Sequence, residues 1–201
     1  EQGPGGLFLF GGKSYSTALE NTVESTVESD NEVFLRRVLA KDELEIVRLM
    51  RDSEALHQPW IQSPSSSRLF KFYMQRIRRV DHEGFAICRR SDENIVGLIN
   101  VNHIVRGTFQ SASLGYYVGA CYEGHGYMRQ GLIQLIKFAF STMGLHRLEA
   151  NIQPENLRSQ ALVEACGFGF EGLSKGFLYI NGSWRDHERW CIVDSRNSLK
   201  P

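Results

Sequence analysis

Seven consecutive residues, Glu123, Gly124, His125, Gly126, Tyr127, Met128 and Arg129, carry the clearest chemistry in the chain. They follow a strand-like stretch, SASLGYYVG, and open an amphipathic helix from Tyr127 to about Met143. A strand that breaks at small residues and restarts as a helix turns several unpaired backbone N–H groups, and the positive end of the helix dipole, toward one spot. That spot suits an anion, most often a phosphate. Arg129 falls in the first turn, where a cation opposes the dipole unless an anion offsets it. The run lacks the lysine and the Ser/Thr of a P-loop and the third glycine of a dinucleotide fingerprint, so neither of those sites is implied.

The elements around the loop give the order β, α, α, β, β, β, α, β, α, β, β. VFLRRVL (33–39) reads as a strand. Asp42 followed by Glu45 reads as a capping box that opens a helix to about Leu56. A breaker segment, His57 to Pro64, precedes a second helix with Leu69, Phe72, Tyr73, Ile77 and Val80 on its apolar face. FAICRR and IVGLINVNHI form a hairpin about the polar turn Ser91 to Asn94, and SASLGYYVG adds a third antiparallel strand. After the long helix, HRLEANI (146–152) must return parallel to that strand. Asn156 caps a short helix that stops at Gly167, and Asn181-Gly182 marks a closing hairpin of the I′ type. The fold class is mixed α/β (α+β): a mostly antiparallel sheet with a central parallel pair, flanked by helices. Residues 33–195 form the domain, 1–32 a flexible acidic extension and 196–201 a tail.

Composition bounds the function. The 201 residues are 42% hydrophobic with 23 basic against 23 acidic side chains, which excludes a polyanion-binding or intrinsically disordered chain and provides no membrane span. Residues 1–32 hold six acids against Lys13 alone, net −5, which leaves the remainder mildly basic at +5. Leu7–Phe10 is too short for the apolar core of a signal peptide. Cys88, Cys121, Cys166 and Cys191 have no ligand-like spacing, so no metal and no disulfide framework is expected, and reduced thiols point to a cytoplasmic protein. Phe138, Phe140, Phe168 and Phe170 are expected in the core, and the basic run Arg76, Arg78, Arg79 on a solvated helix face.

The loop, helix, strand and Asn156-Leu157-Arg158-Ser159 helix resemble the GNAT acetyltransferase superfamily. Several strings are similar to the ribosomal-protein N-terminal acetyltransferases of the RimJ/RimL group: VRGTF (105–109), LGY (114–116), HR (146–147), PENLRS (154–159), CGF (166–168) and INGSWRDH (180–187). The resemblance runs from about Val33 to Val193. It implies direct transfer of an acetyl group from acetyl-CoA, without a metal, to the N-terminal α-amine of a protein, a ribosomal protein first. Tyr116, Tyr117 and Val118 would pair with the pantetheine amides, a backbone N–H near Val118 would hold the polarised carbonyl, and the loop from about Tyr122 to Met128 the diphosphate. Asn156 would bond pantetheine beside its role as helix cap, and Ser159 matches a serine that protonates the departing thiolate. Glu123 departs from the family's usual Gln or Arg, and Leu178 and Asn151 stand where related enzymes place a glutamate base.

The base stays open between two residues. Alternation along 146–153 puts Glu149, Asn151 and Gln153 on one face, where Glu149 reaches the cleft floor; His187, with an ordinary pKa near 6.5, is the second candidate, oriented by Asp186 unless Asp186 pairs with Arg185. An α-amine of pKa about 7.8 is about 14% neutral at pH 7, against about 0.04% for a lysine, so an N-terminal acceptor needs the smaller push. The resemblance implies that His57, Trp60 and Trp184 border the acceptor side, with a purely structural aromatic role the alternative. The alternatives are acetylation of a small amine such as an aminoglycoside, and a non-catalytic acyl-CoA-binding module. No DNA or membrane partner is expected, and both a monomer and a homodimer are compatible.

Overall fold

The computed structural model describes residues 22–23, 31–58 and 60–195; the expectations for most of the acidic extension and for the tail lie outside the described residues. In chain order the elements are β1 (Thr22–Val23), β2 (Val33–Arg37), α1 (Glu43–Asp52), α2 (Glu54–His57), α3 (Ser67–Ile77), β3 (Glu83–Arg89), β4 (Ile95–Val105), β5 (Ser111–Val118), α4 (Tyr127–Ser141), β6 (Arg147–Ile152), α5 (Leu157–Ala165), β7 (Gly169–Ile180) and β8 (Ser183–Val193). The strands form one sheet in the order β1-β2-β3-β4-β5-β6-β8-β7. Every described pairing is antiparallel except β5–β6, parallel from Ser111↔Arg147 to Leu114↔Ala150. The mixed, mostly antiparallel sheet with one central parallel pair is the expected one.

Both faces of the middle of the sheet are covered, which is why β3 and β4 read as nearly continuous apolar runs. Phe85 and Ile87 point into one core with Leu132 and Leu135 of α4 and Val163 of α5. Ala86 and Cys88 point into another with Ile46 and Met50 of α1 and Phe70 and Tyr73 of α3. Gly131 lets α4 lie close on the sheet: a Cβ there would stand 2.7 Å from Ile87 Cδ1. A Gly131→Leu chain is expected to lose about 1–3 kcal/mol by overpacking, read as a lower unfolding midpoint in denaturant.

Four expectations are corrected. The buried stripe of α3 is Phe70, Tyr73, Met74 and Ile77, while Phe72 is 54% and Val80 91% exposed. Both stripes share Tyr73 and Ile77, and Tyr73 anchors the buried face across the fold: its hydroxyl donates to Asn100 Oδ1 (2.9 Å) and a Cβ at Gly84 would meet it at 2.5 Å. The capping box at Asp42 and Glu45 does not form. The Asp42 carboxylate is used one turn earlier, on the Leu39 N–H (2.8 Å) and on the Arg36 guanidinium (2.7 and 2.9 Å), and Glu45 accepts the Ile95 N–H across 50 residues. The helix expected to run to about Leu56 breaks at Ser53 into α1 and α2. Phe168 is buried, with Phe138 and Phe140 packed against the core, but Phe170 is 55% exposed because β7 is an edge strand.

Candidate active site

The parallel pair ends at Leu114 and Ala150, and from there β5 and β6 diverge into a cleft of about 1450 Å³. β5 continues to Val118 with its second edge unpartnered. Gly119 N–H donates back to Val96 O of β4 (2.9 Å), so by strand alternation the N–H and C=O of Val118, and of Tyr116 two residues earlier, face the cleft. The Val118 carbonyl accepts from His57 Nε2 (2.9 Å), a contact 61 residues apart that sequence reasoning missed. One turn earlier the Ser53 hydroxyl accepts from Ala120 N–H (2.8 Å) and donates to Leu49 O (2.7 Å). The α1–α2 break therefore clamps the end of β5 at the Val118 carbonyl and, just past the strand, at the Ala120 N–H.

His57 is buried, edge-on to Tyr117 at 5.7 Å. Burial lowers its pKa, and the Val118 carbonyl offsets this only in part. With Nε2 donating, Nδ1 holds the lone pair, buried and without a hydrogen-bond partner among the described residues.

The glycine loop forms the first lip of the cleft. Gly124 (φ +79°) and Gly126 (φ +78°) are both left-handed, with open space where a Cβ would go, so backbone conformation rather than room requires glycine there. Gly126 is the N-cap of α4 and contributes no side-chain cap, which leaves first-turn N–H groups for a ligand. Glu123, Gly124, Gly126, Tyr127, Met128 and Arg129 line the cleft. His125 does not: its ring stacks on Tyr127 at 5.5 Å.

The second lip is α5. Asn156 Oδ1 accepts Ser159 N–H (3.1 Å), the expected cap, and Asn156 also lines the cleft. The Ser159 hydroxyl is hydrogen-bonded to the Tyr116 hydroxyl across 43 residues. Sequence reasoning placed Tyr116 here for its backbone alone; the side chain was hidden because it joins two elements that meet only in the folded sheet. Burial raises the Tyr116 pKa, against a smaller opposing effect of Ser159, so the phenol is protonated at neutral pH.

Both base candidates line the cleft. Glu149 sits between two guanidiniums, Arg147 Nε at 2.8 Å from Oε1 and Arg189 on Oε2. Burial raises its pKa, but these hydrogen bonds and charges outweigh that and hold it below the usual carboxylate range. His187 is 2% exposed and lines the same cleft, beside the Phe177 ring at 5.9 Å. Its Nδ1 is 3.0 Å from the Arg185 carbonyl, an atom that only accepts. The proton of the neutral ring is thus on Nδ1 and the lone pair on Nε2. Burial lowers the His187 pKa, with the Arg185 carbonyl and the Asp186 charge opposing. The expected orienting role of Asp186 is replaced: its carboxylate accepts the Gly176 N–H (2.7 Å), and the backbone carbonyl fixes the ring. Trp60 lines the cleft and its carbonyl accepts from Gln153 Nε2 (3.2 Å). Trp184 does not; it is 66% exposed at the hairpin, edge-on to Tyr179.

A mixed sheet that opens at its one parallel pair, with a left-handed glycine loop on one lip and a capped helix on the other, is an architecture for an extended, phosphate-bearing ligand. The profile of the Acetyltransferase (GNAT) domain matches residues 32–169, and the chain belongs to that family. Among its relatives are the probable N-acetyltransferase YjcK of Bacillus subtilis, 33% identical over 61% of this chain and 67% of that protein, and the [ribosomal protein uS5]-alanine N-acetyltransferase of Escherichia coli, 38% identical over 51% of this chain and 53% of that one. The chain thus spans about half the length of the second. A spermidine N(1)-acetyltransferase of Vibrio cholerae is 25% identical over 80% of this chain and 92% of its own. Among solved structures, Mycobacterium smegmatis RimJ in complex with CoA-disulfide superposes with a TM-score of 0.75 at 26% identity, covering 84% of this chain and 85% of that one. No helix among the described residues is long and apolar enough to cross a membrane.

Proposed function

We propose that this chain transfers the acetyl group of acetyl-CoA to the N-terminal α-amine of a protein, a ribosomal protein being the first candidate. The observation that carries the reading is a buried imidazole in the cleft with its lone pair on Nε2, while the other candidate base, Glu149, is held in ion pairs with Arg147 and Arg189. Any attacking amine must give up a proton, and Glu149, held by Arg147 and Arg189, is less suited than His187 to take it. Acetyl-CoA, when bound, supplies a thioester carbonyl open to attack by the amine, with CoA thiolate as leaving group.

The chain's own residues do the rest. Backbone groups of Tyr116 and Val118 align the ligand as a strand would, and the Val118 N–H faces the position of the carbonyl oxygen. Loop amides from Tyr122 to Met128 hold the diphosphate. The His187 Nε2 lone pair takes the proton released as the amine attacks. The Ser159 hydroxyl, backed by the Tyr116 phenol, gives a proton to the sulfur. Asn156 keeps Ser159 in place through its N-cap bond. Glu149 holds Arg147 and Arg189 and through them the floor of the cleft.

The test is mass spectrometry of the protein with acetyl-CoA and a panel of ribosomal-protein N-terminal peptides, lysine peptides, spermidine and an aminoglycoside. Acetylation confined to α-amines is the expected result. Turnover on spermidine alone, in keeping with the more distant relative, would move the acceptor to a polyamine. Tight acetyl-CoA binding without transfer to any amine would leave a binding module.

A further inference from the structure

Glu123 is an acidic residue in a place built for an anion. The first turns of α4 and α5 contain no acidic side chain, yet each has an arginine, Arg129 and Arg158, set against the positive end of its helix dipole. All three residues line the cleft. The Glu123 carboxylate reaches from the first lip to the second and pairs with the Arg158 guanidinium, 35 residues away. The two side chains are 40% and 74% exposed, so the pair is screened, weak and easily exchanged.

We propose that Glu123 is a built-in counter-ion, pairing with Arg158 in the ligand-free cleft and giving it up to a phosphate of the bound acyl-CoA. This rests on the acetyl-CoA reading above and adds to it a residue that sets the strength of binding. The physical argument is one of competing anions. A ligand phosphate at the two helix ends must displace the carboxylate from Arg158 and then sit near it, and like charges a few ångströms apart repel even in water. Glu123 therefore weakens acetyl-CoA and CoA alike. Because product CoA has the same phosphates as the substrate, the carboxylate re-forms its pair as CoA departs and speeds release.

Calorimetry on the full chain, with CoA and with 3′-dephospho-CoA, tests this in four proteins: wild type, Glu123→Gln, Arg158→Gln and the double variant. Glu123→Gln is expected to bind CoA about three- to tenfold tighter at low ionic strength, with the gain shrinking as salt screens it. Arg158→Gln is expected to bind more weakly. On the Arg158→Gln background the gain from Glu123→Gln is expected to fall by half or more, since the two act through one another. A gain that persists with 3′-dephospho-CoA assigns the exchange to the diphosphate; a gain lost with it assigns the exchange to the 3′-phosphate. Unchanged or weaker affinity in Glu123→Gln, or fully additive effects, overturns the counter-ion while leaving acetyl-CoA as the ligand. Failure of the wild type to bind CoA or acetyl-CoA at all overturns the functional reading itself.

Discussion

Replacing His187 with Gln is expected to lower kcat by about 10²–10⁴, the range of a lost general base, with acetyl-CoA affinity near that of the wild type. The ring is a base because of where its proton sits. A backbone carbonyl at 3.0 Å fixes the proton on Nδ1, and burial keeps the pKa below 6.5, so Nε2 is unprotonated at neutral pH. The sign of the pH effect follows. As pH falls through the lowered His187 pKa the base is lost, and the acceptor amine, of pKa about 7.8, has by then become protonated too. Wild-type kcat/KM should therefore fall with a limiting slope of two protons at acid pH, and His187→Gln with a slope of one. Glu149→Gln is the control. It should keep the two-proton slope and instead lose about 1–3 kcal/mol of stability, because Arg189 loses its carboxylate partner in a half-buried place while Arg147 keeps Glu171. A two-proton slope in His187→Gln with one proton in Glu149→Gln would exchange the two roles.

Replacing Gly126 with Val should weaken acetyl-CoA binding by about a hundredfold or more, the scale of losing one or two charge-assisted hydrogen bonds. Gly126 holds φ at +78°, and a β-branched residue there is strained whatever space surrounds it. Beyond its own chain neighbours, no atom of the described residues lies within 4 Å of the added Cβ, so the strain falls on the loop's own conformation. The loop relaxes, and the N–H groups at the start of α4 no longer converge. Thermal unfolding should move little beside the loss seen by calorimetry. Wild-type affinity in a folded Gly126→Val protein would take the diphosphate away from this loop.

What was legible in the sequence was local. The α4 helix with its glycine entry, the Asn156 cap and the Asn181-Gly182 turn are each set by residues within one turn of one another, and they stand as expected. What was not legible depends on partners far along the chain. The α3 stripe was misplaced because the buried face is set by partners on other elements, the Tyr73 hydroxyl reaching Asn100 on β4 and packing over Gly84 on β3, which periodicity within α3 does not report. The state of Glu149 turns on Arg189, 40 residues later, and alternation along β6 reports only which face the carboxylate lies on. His57 was read as a pocket-wall residue, and nothing in its neighbours announces that it would cap Val118.

The early parting of β5 from β6 has a consequence for how this protein can change over time. The recognition edge at Tyr116 and Val118 is main chain, and no substitution short of proline removes a main-chain donor. The proposed main-chain contacts therefore survive side-chain change, provided the strand stays extended and α2 keeps its grip at Val118, although the Tyr116 phenol and the Tyr117 ring have partners of their own. Such a site is robust to mutation, and it leaves almost no trace in residue identity. The trace is in the geometry, as an open edge of β5 where, on the proposed reading, an extended ligand would lie as a further strand would.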